Sequence, residues 1–301
     1  MNTAINASAR GHGFDRLIWS IPPPALMLIA MVSFQVGTAF AKGLFDQVSA
    51  PGVAFMRLAV GSVFLFAWLR PAMRSLRRQQ WAIVTGMGVT TATMSLLYFI
   101  ALDHIPLGVA TAIAFSGPFI LAMSGARQFA QLFWVVVAAS GVILLAPWGN
   151  SNVNAVGFVL AALAGACYTG YVILTKRAGQ EIPANDALPL AMGIAATLLM
   201  PIGVASAGMD MVQVDVLIII VLTALLSTVL PYLLEFNALK RMTAPLYAVL
   251  ISLDPAVSAL AGLIILSESI GLLGYVAIGL ICIGSMFANR AHNRANREAP
   301  G

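Results

Sequence analysis

Charge is scarce in this sequence. Only 9% of its 301 residues are Asp, Glu, Lys or Arg, against 60% hydrophobic; a soluble domain carries about 25% charged residues. Histidine is scarce too. His12, His104 and His292 all lie outside the apolar runs, so a membrane-embedded metal centre or a histidine-based triad has little to be built from. No G-x-x-x-x-G-K-[ST] stretch occurs, so the chain has no phosphate loop for drawing work directly from ATP, and no H-E-x-x-H metal motif occurs either. Ser116-Gly117 alone does not make a serine hydrolase. The two cysteines, Cys167 and Cys282, sit inside apolar runs as small hydrophobes; no disulfide, metal or cofactor is expected. The first twenty residues read as a mixed polar tail rather than a cleavable signal, and Pro22-Pro23-Pro24 separates them from the first apolar run.

What abounds is apolar runs of membrane-crossing length, roughly 17 to 25 residues each. They predict an all-α membrane protein with ten transmembrane helices. The first five segments are Pro24 to Phe40, Pro51 to Leu69, Trp81 to Leu102, Pro106 to Met123 and Leu132 to Trp148. The second five are Val156 to Leu174, Leu188 to Ala205, Val216 to Leu239, Ala244 to Leu266 and Ile270 to Phe287. Threading these back and forth puts 14 of the 16 Lys and Arg on one side, Lys42 alone on the other, and Arg57 within segment 2. By the positive-inside bias the crowded side is the cytoplasm, so both termini are expected there. The net charge of +5 is then an orientation signal at segment ends; the lipid bilayer is the expected partner and nucleic acid is not.

The chain also contains itself twice. LLYFIAL at Leu96 to Leu102 returns as LLEFNAL at Leu233 to Leu239, and the same register pairs Pro118 with Pro255, Ala122 with Ala259 and Gly125 with Gly262. The link after the first copy is Asp103-His104 and after the second Lys240-Arg241, the change of charge that an upside-down copy requires. Five helices per half is an odd number, so the fold expected is two inverted five-helix repeats. Residues 24–149 form the first and 150–288 the second, between a cytoplasmic tail of residues 1–23 and a basic tail of 289–301. In such proteins a midplane cavity lies between the halves, flagged by interrupted helices in matching positions. Pro118 and Pro255, with Pro231 in segment 8, are the expected interruptions, each removing a helical N–H.

Few residues within the segments can carry chemistry. Glu235 shares a helical face with Thr228 and Tyr232, near the cytoplasmic end of segment 8. Asp254 lies midway along segment 9 in a stripe with Tyr247, Ile251, Ser258 and Gly262. An ionised carboxylate at the bilayer centre costs on the order of 3 kcal/mol, so Asp254 is expected to face the protein interior. Either acid can bind a substrate ammonium group or relay a proton. The alternatives are a Glu235 that reaches the interface or pairs with Lys240, and an Asp254 that shapes the helix beside Pro255. Arg57, about 10 Å into segment 2, can receive a substrate carboxylate, or else snorkel or pair with a buried acid. Gln35, Thr38, Tyr98, Ser116, Tyr168, Tyr171, Tyr232, Asn237 and Tyr247, with the two matched prolines, are the candidate pathway lining. Lys42 and Glu268 read as interfacial anchors.

SAPGVAFMRLAVG from Ser49, IPLGVATAIAFSGP from Ile105, LSTVLPYLLEFNAL and ISLDPAVSALAGLIILSES together resemble the EamA branch of the drug/metabolite transporter superfamily, and within it the bacterial threonine/homoserine exporters. The likeness spans about Pro24 to Phe287. It implies a secondary exporter of small metabolites, amino acids above all, in the inner membrane of a bacterium; the inverted halves add alternating access, and Glu235 or Asp254 can exchange a proton. It also implies roles for Arg57, Glu235, Asp254 and Glu268. The chain departs from that pattern at Asp254-Pro255, where Glu-Pro is usual, at Ala114, where an acid is expected, and at Tyr168 in place of tryptophan. These departures bear on which amino acid is carried. The alternatives are a broad drug or organic-cation exporter, suited by the five Trp, six Tyr and two buried acids, and a sensor that binds without translocating. An intramembrane enzyme ranks last for want of a nucleophile and base. Oligomeric state is left open, since ten helices can close a pathway in one chain.

Overall fold

A computed structural model of the chain describes residues 20–71, 76–123, 129–145, 154–242 and 244–298, and their regular structure is helical throughout. In order these are α1 (Pro23–Lys42), α2 (Ala50–Leu69), α3 (Arg78–His104), α4 (Leu107–Met123), α5 (Phe129–Leu144), α6 (Ala155–Glu181) and α7 (Ala184–Ala207). A 3-10 turn at Gly208–Val212 leads to α8 (Val214–Ala224), which runs through a π-helical turn at Leu225–Val229 into α9 (Leu230–Arg241). Then come α10 (Ala244–Ile251), α11 (Asp254–Leu266) and α12 (Gly271–Glu298).

The starts of these helices follow local chemistry. Pro23 and Pro24 open α1 and Pro51 opens α2, where a missing N–H costs nothing. The Ser49 and Asn154 side chains accept from the first-turn amides of Gly52 and Val156. Among the described residues eight helical stretches are long and apolar enough to cross a membrane, by length and composition, while Leu107–Gly117 and Phe133–Leu144 form shorter apolar helices. Large apolar side chains stand outward, among them Leu272 at 81% and Ile264 at 76% exposed. That outer surface suits hydrocarbon and not water.

The interior holds small and polar groups. α4 is covered along nearly all its first half, with Leu107, Ala110, Thr111 and Ala112 fully buried between α6 and α11. Around it α3 packs on α6 and α7, α2 on α7, α5 on α12, and α1 on α9 and α11. α4 and α11 touch backbone to backbone: a Cβ added at Gly108 would lie 2.7 Å from both Cα and Cβ of Ala259. Gly108→Val is therefore expected to push these helices apart and destabilise the fold by about 1–3 kcal/mol, read as a lower unfolding temperature in detergent.

Several expected boundaries shift. α3, α6 and α12 outrun their apolar segments, because hydrogen bonding continues past the hydrocarbon edge. The expected end of segment 5, Trp148, lies outside the described residues. Segment 9 is two helices, since Pro255 has no N–H for the Ile251 carbonyl and the chain turns at Ser252-Leu253 before α11 begins. α4, by contrast, runs past Pro118 without interruption.

Candidate functional site

A cavity of about 100 Å³ opens between α1, α2, α3, α4, α6, α9, α10 and α11. Of the residues expected from the sequence, Arg57, Tyr98, Tyr168, Tyr171, Tyr232, Glu235 and Asp254 line it. Thr38 is fully buried and bonds back to the Phe34 carbonyl at 2.7 Å. Ser116 and Asn237 likewise turn to carbonyls of their own helices, Ile113 and Leu233. A hydroxyl or amide in an apolar helix satisfies itself this way at little cost, so these three, with the buried Pro255, are not part of the wall. Gln35 stands behind the wall, donating from Nε2 to Asp254 Oδ2 at 3.0 Å, and its own Oε1 is buried without a partner. The side chains of Pro118 and Tyr247 lie outside the described residues.

Arg57 is only 3% exposed. Its Nη2 donates to Ser95 Oγ at 2.6 Å, its Nη1 to the Ser227 carbonyl at 3.1 Å with Ser227 Oγ and Thr228 Oγ1 at 3.3 and 3.4 Å, and the guanidinium lies 4.8 Å from the centre of the Phe99 ring. All of these partners are neutral, Nε has none, and no carboxylate among the described residues forms an ion pair with this arginine. It neither snorkels nor pairs with a buried acid.

The π turn builds that seat. Pro231 brings no N–H, so the carbonyls of Ser227 and Leu226, four and five residues earlier, look elsewhere for donors. The first takes Arg57 Nη1 and the second Ser33 Oγ at 2.6 Å. Gly61, one turn after Arg57 on α2, lets the two backbones approach: a Cβ there would meet Thr228 Cγ2 at 2.7 Å. Ser95 and Phe99 reach the arginine from one face of α3, four residues apart.

The same cavity wall carries two acids. Asp254 is 3% exposed and sits in the first turn of α11, where free backbone amides favour a negative charge. Glu235 is half-buried on α9, near enough for its charge to act on Asp254, Tyr171 and Tyr232. Between charges the wall is aromatic and apolar. Tyr168 packs on Phe115 and Tyr171, and Tyr171 on Tyr232, at centroid distances of 5.1, 6.2 and 6.1 Å. Met27, Met31, Phe34 and Met94 complete it; nothing in a chain so rich in apolar residues singles these out beforehand. Among the described residues no group of three His, Cys, Asp or Glu is placed to hold a metal ion.

A helical bundle with outward apolar surfaces and a charged internal cavity is the architecture of a membrane transporter. The EamA-like transporter family matches residues 23–148 and 155–290, and the chain belongs to that family. It is 36% identical over 268 residues to the threonine/homoserine exporter RhtA of Escherichia coli K12, covering 88% of this chain and 90% of that one. The pseudopaline exporter CntI of Pseudomonas aeruginosa PAO1 is 28% identical over 150 residues, 47% of this chain and 53% of its own. A crystal structure of a protein 17% identical in sequence superposes with a TM-score of 0.62 over 92% of this chain and 99% of that one, a likeness of fold alone. The relatives are exporters, so this is a multi-pass membrane transporter and not an enzyme.

Proposed function

We propose that this protein exports small zwitterionic amino acids of the threonine and homoserine kind. The observation that carries this is Arg57: a buried cation, held by neutral groups only, on the wall of a cavity whose other charges are Asp254 and Glu235. A zwitterion complements that arrangement, its carboxylate at Arg57 and its ammonium group towards the acids. The exporters that this chain resembles add the substrate class and the direction.

The accompanying architecture is ten transmembrane helices in two inverted repeats, residues 24–149 and 150–288, in a bacterial inner membrane with both termini cytoplasmic. Helix packing supports it. If each span is exchanged for the one five places on, counting α8–α9 and α10–α11 as single spans, then α1 on α9 becomes α6 on α3. The pairs α2 with α7, α4 with α11 and α5 with α12 map onto themselves. Transport proceeds by alternating access, with protons exchanged at Asp254 or Glu235.

Liposomes carrying the purified protein and a labelled amino acid mixture test the reading. Saturable efflux of one or a few neutral amino acids, faster with a pH gradient, is the expected result. Efflux no faster than from empty liposomes, with folded protein present, would sink it. A second reading, export of organic cations, draws on the aromatic groups beside the two carboxylates. Under it, quaternary ammonium compounds outcompete amino acids.

A further inference from the structure

Lys42 and Glu268, 226 residues apart in sequence, form an ion pair at the far end of the bundle from Lys240 and Arg241. The contact ties four helix ends together. Lys42 is the last residue of α1, and its Nζ also donates to the carbonyl of Ile105, the residue just past α3, at 2.8 Å. Glu268 lies just beyond α11, and its Oε2 accepts the amide of Leu107, the first residue of α4, at 2.8 Å. That amide belongs to the opening turn of a helix and has no partner within it, so the carboxylate satisfies both the N–H and the positive end of the helix.

From there a chain of hydrogen bonds runs inward to the cavity. The Leu107 carbonyl accepts from Thr111 Oγ1 at 3.0 Å and from Ser258 Oγ at 3.1 Å; these hydroxyls are 2.6 Å apart, and Tyr98 OH lies 2.7 Å from Thr111 Oγ1. Tyr98 is on the cavity wall. The pair itself is about 20 Å along α11 from Asp254, counting 1.5 Å per residue. Its side chains keep 16% and 18% exposure, so water screens it enough for it to part and re-form.

We infer that the Lys42–Glu268 pair is the external gate of the transport pathway, closed in this structure and linked to the cavity through Ser258, Thr111 and Tyr98. α1 and α11 must part from the α3–α4 link at this end for a substrate to leave the cavity outward, and this ion pair bridges all three there. A substrate that engages the Tyr98 hydroxyl competes with Thr111 for it and loosens the chain leading to Leu107. The inference rests on the orientation proposed above, in which the Lys42 end faces outward.

The test needs no substrate. In a background with Cys167 and Cys282 replaced by alanine, Ala30→Cys places a reporter thiol on the cavity wall, labelled by a membrane-impermeant maleimide added from outside. Lys42→Glu or Glu268→Lys alone is expected to raise the labelling rate about tenfold or more, and the two together to return it close to the starting value, as a restored ion pair does. Lys42→Gln, which keeps the stem without the charge, is expected to fall between. Equal labelling in all variants overturns the inference, as does a double swap no better than either single change, or a rise only for reagent added from the Lys240 side. Because labelling is independent of what is carried, a failed amino acid efflux assay beside the expected labelling pattern removes the substrate reading and leaves the gate.

Discussion

Arg57→Met is expected to weaken amino acid transport about 30- to 150-fold and to leave the protein's stability nearly unchanged. The two effects share a cause. A carboxylate held by a guanidinium through charge-assisted hydrogen bonds gains about 2–3 kcal/mol, and each 1.4 kcal/mol is roughly tenfold in affinity. The cost of keeping that guanidinium buried is offset in the resting protein only by Ser95, the π-turn groups and the Phe99 ring. Replacing a buried charge that has no ionic partner with an apolar side chain of similar length removes that cost but leaves the Ser227 carbonyl without its donor, and the two offset each other. Transport kinetics paired with thermal unfolding in detergent check both halves. Decarboxylated substrate analogues sharpen the result: wild type is expected to bind them far less well than the amino acids, and Arg57→Met to bind both alike. A variant that discriminates as well as wild type places the carboxylate elsewhere.

Asp254→Asn is expected to abolish stimulation by a pH gradient and to cut efflux by about tenfold or more, the worth of a hydrogen bond to a charged group. The change is nearly isosteric, and Asn can still accept from Gln35 Nε2, so the turn between α10 and α11 has no reason to move. What disappears is the negative charge on the wall, and with it the group that can take up a proton when the ammonium group departs. Asp254→Glu restores the charge one methylene further out and is expected to recover part of the rate. Full gradient-driven efflux in the Asn variant would move the coupling to Glu235.

Much of this was legible in the sequence because hydrocarbon imposes a coarse grammar. A charge in an apolar run must be buried or paired, so Arg57, Glu235 and Asp254 stood out on composition alone. Pro255 announced the break between α10 and α11, and Pro231 the freed carbonyls, because a proline always withholds its donor. What holds Arg57 in place was hidden. Ser95, Ser227, Thr228 and Phe99 come from two other stretches of chain, and such pairings depend on packing that no local pattern encodes. Thr38, Ser116 and Asn237 show the opposite difficulty: a polar side chain in an apolar helix suggests a pathway equally well when it bonds to its own backbone, as these three do. Lys42 and Glu268 looked like separate interfacial residues because nothing in either neighbourhood mentions the other.

The π turn between α8 and α9 has a consequence for how this chain can vary. A π turn accommodates one residue more than the α-helix around it, and one residue is worth about 100° of rotation. Everything after Val229 is therefore turned through that angle relative to a regular continuation of α8. Deleting a single residue from Leu225–Val229 would leave a helix equally apolar and equally able to span, but with Tyr232 and Glu235 swung away from the cavity. Hydropathy is blind to that change, so a homologue lacking one residue there would pass as the same protein while its carboxylate faced another helix or the lipid.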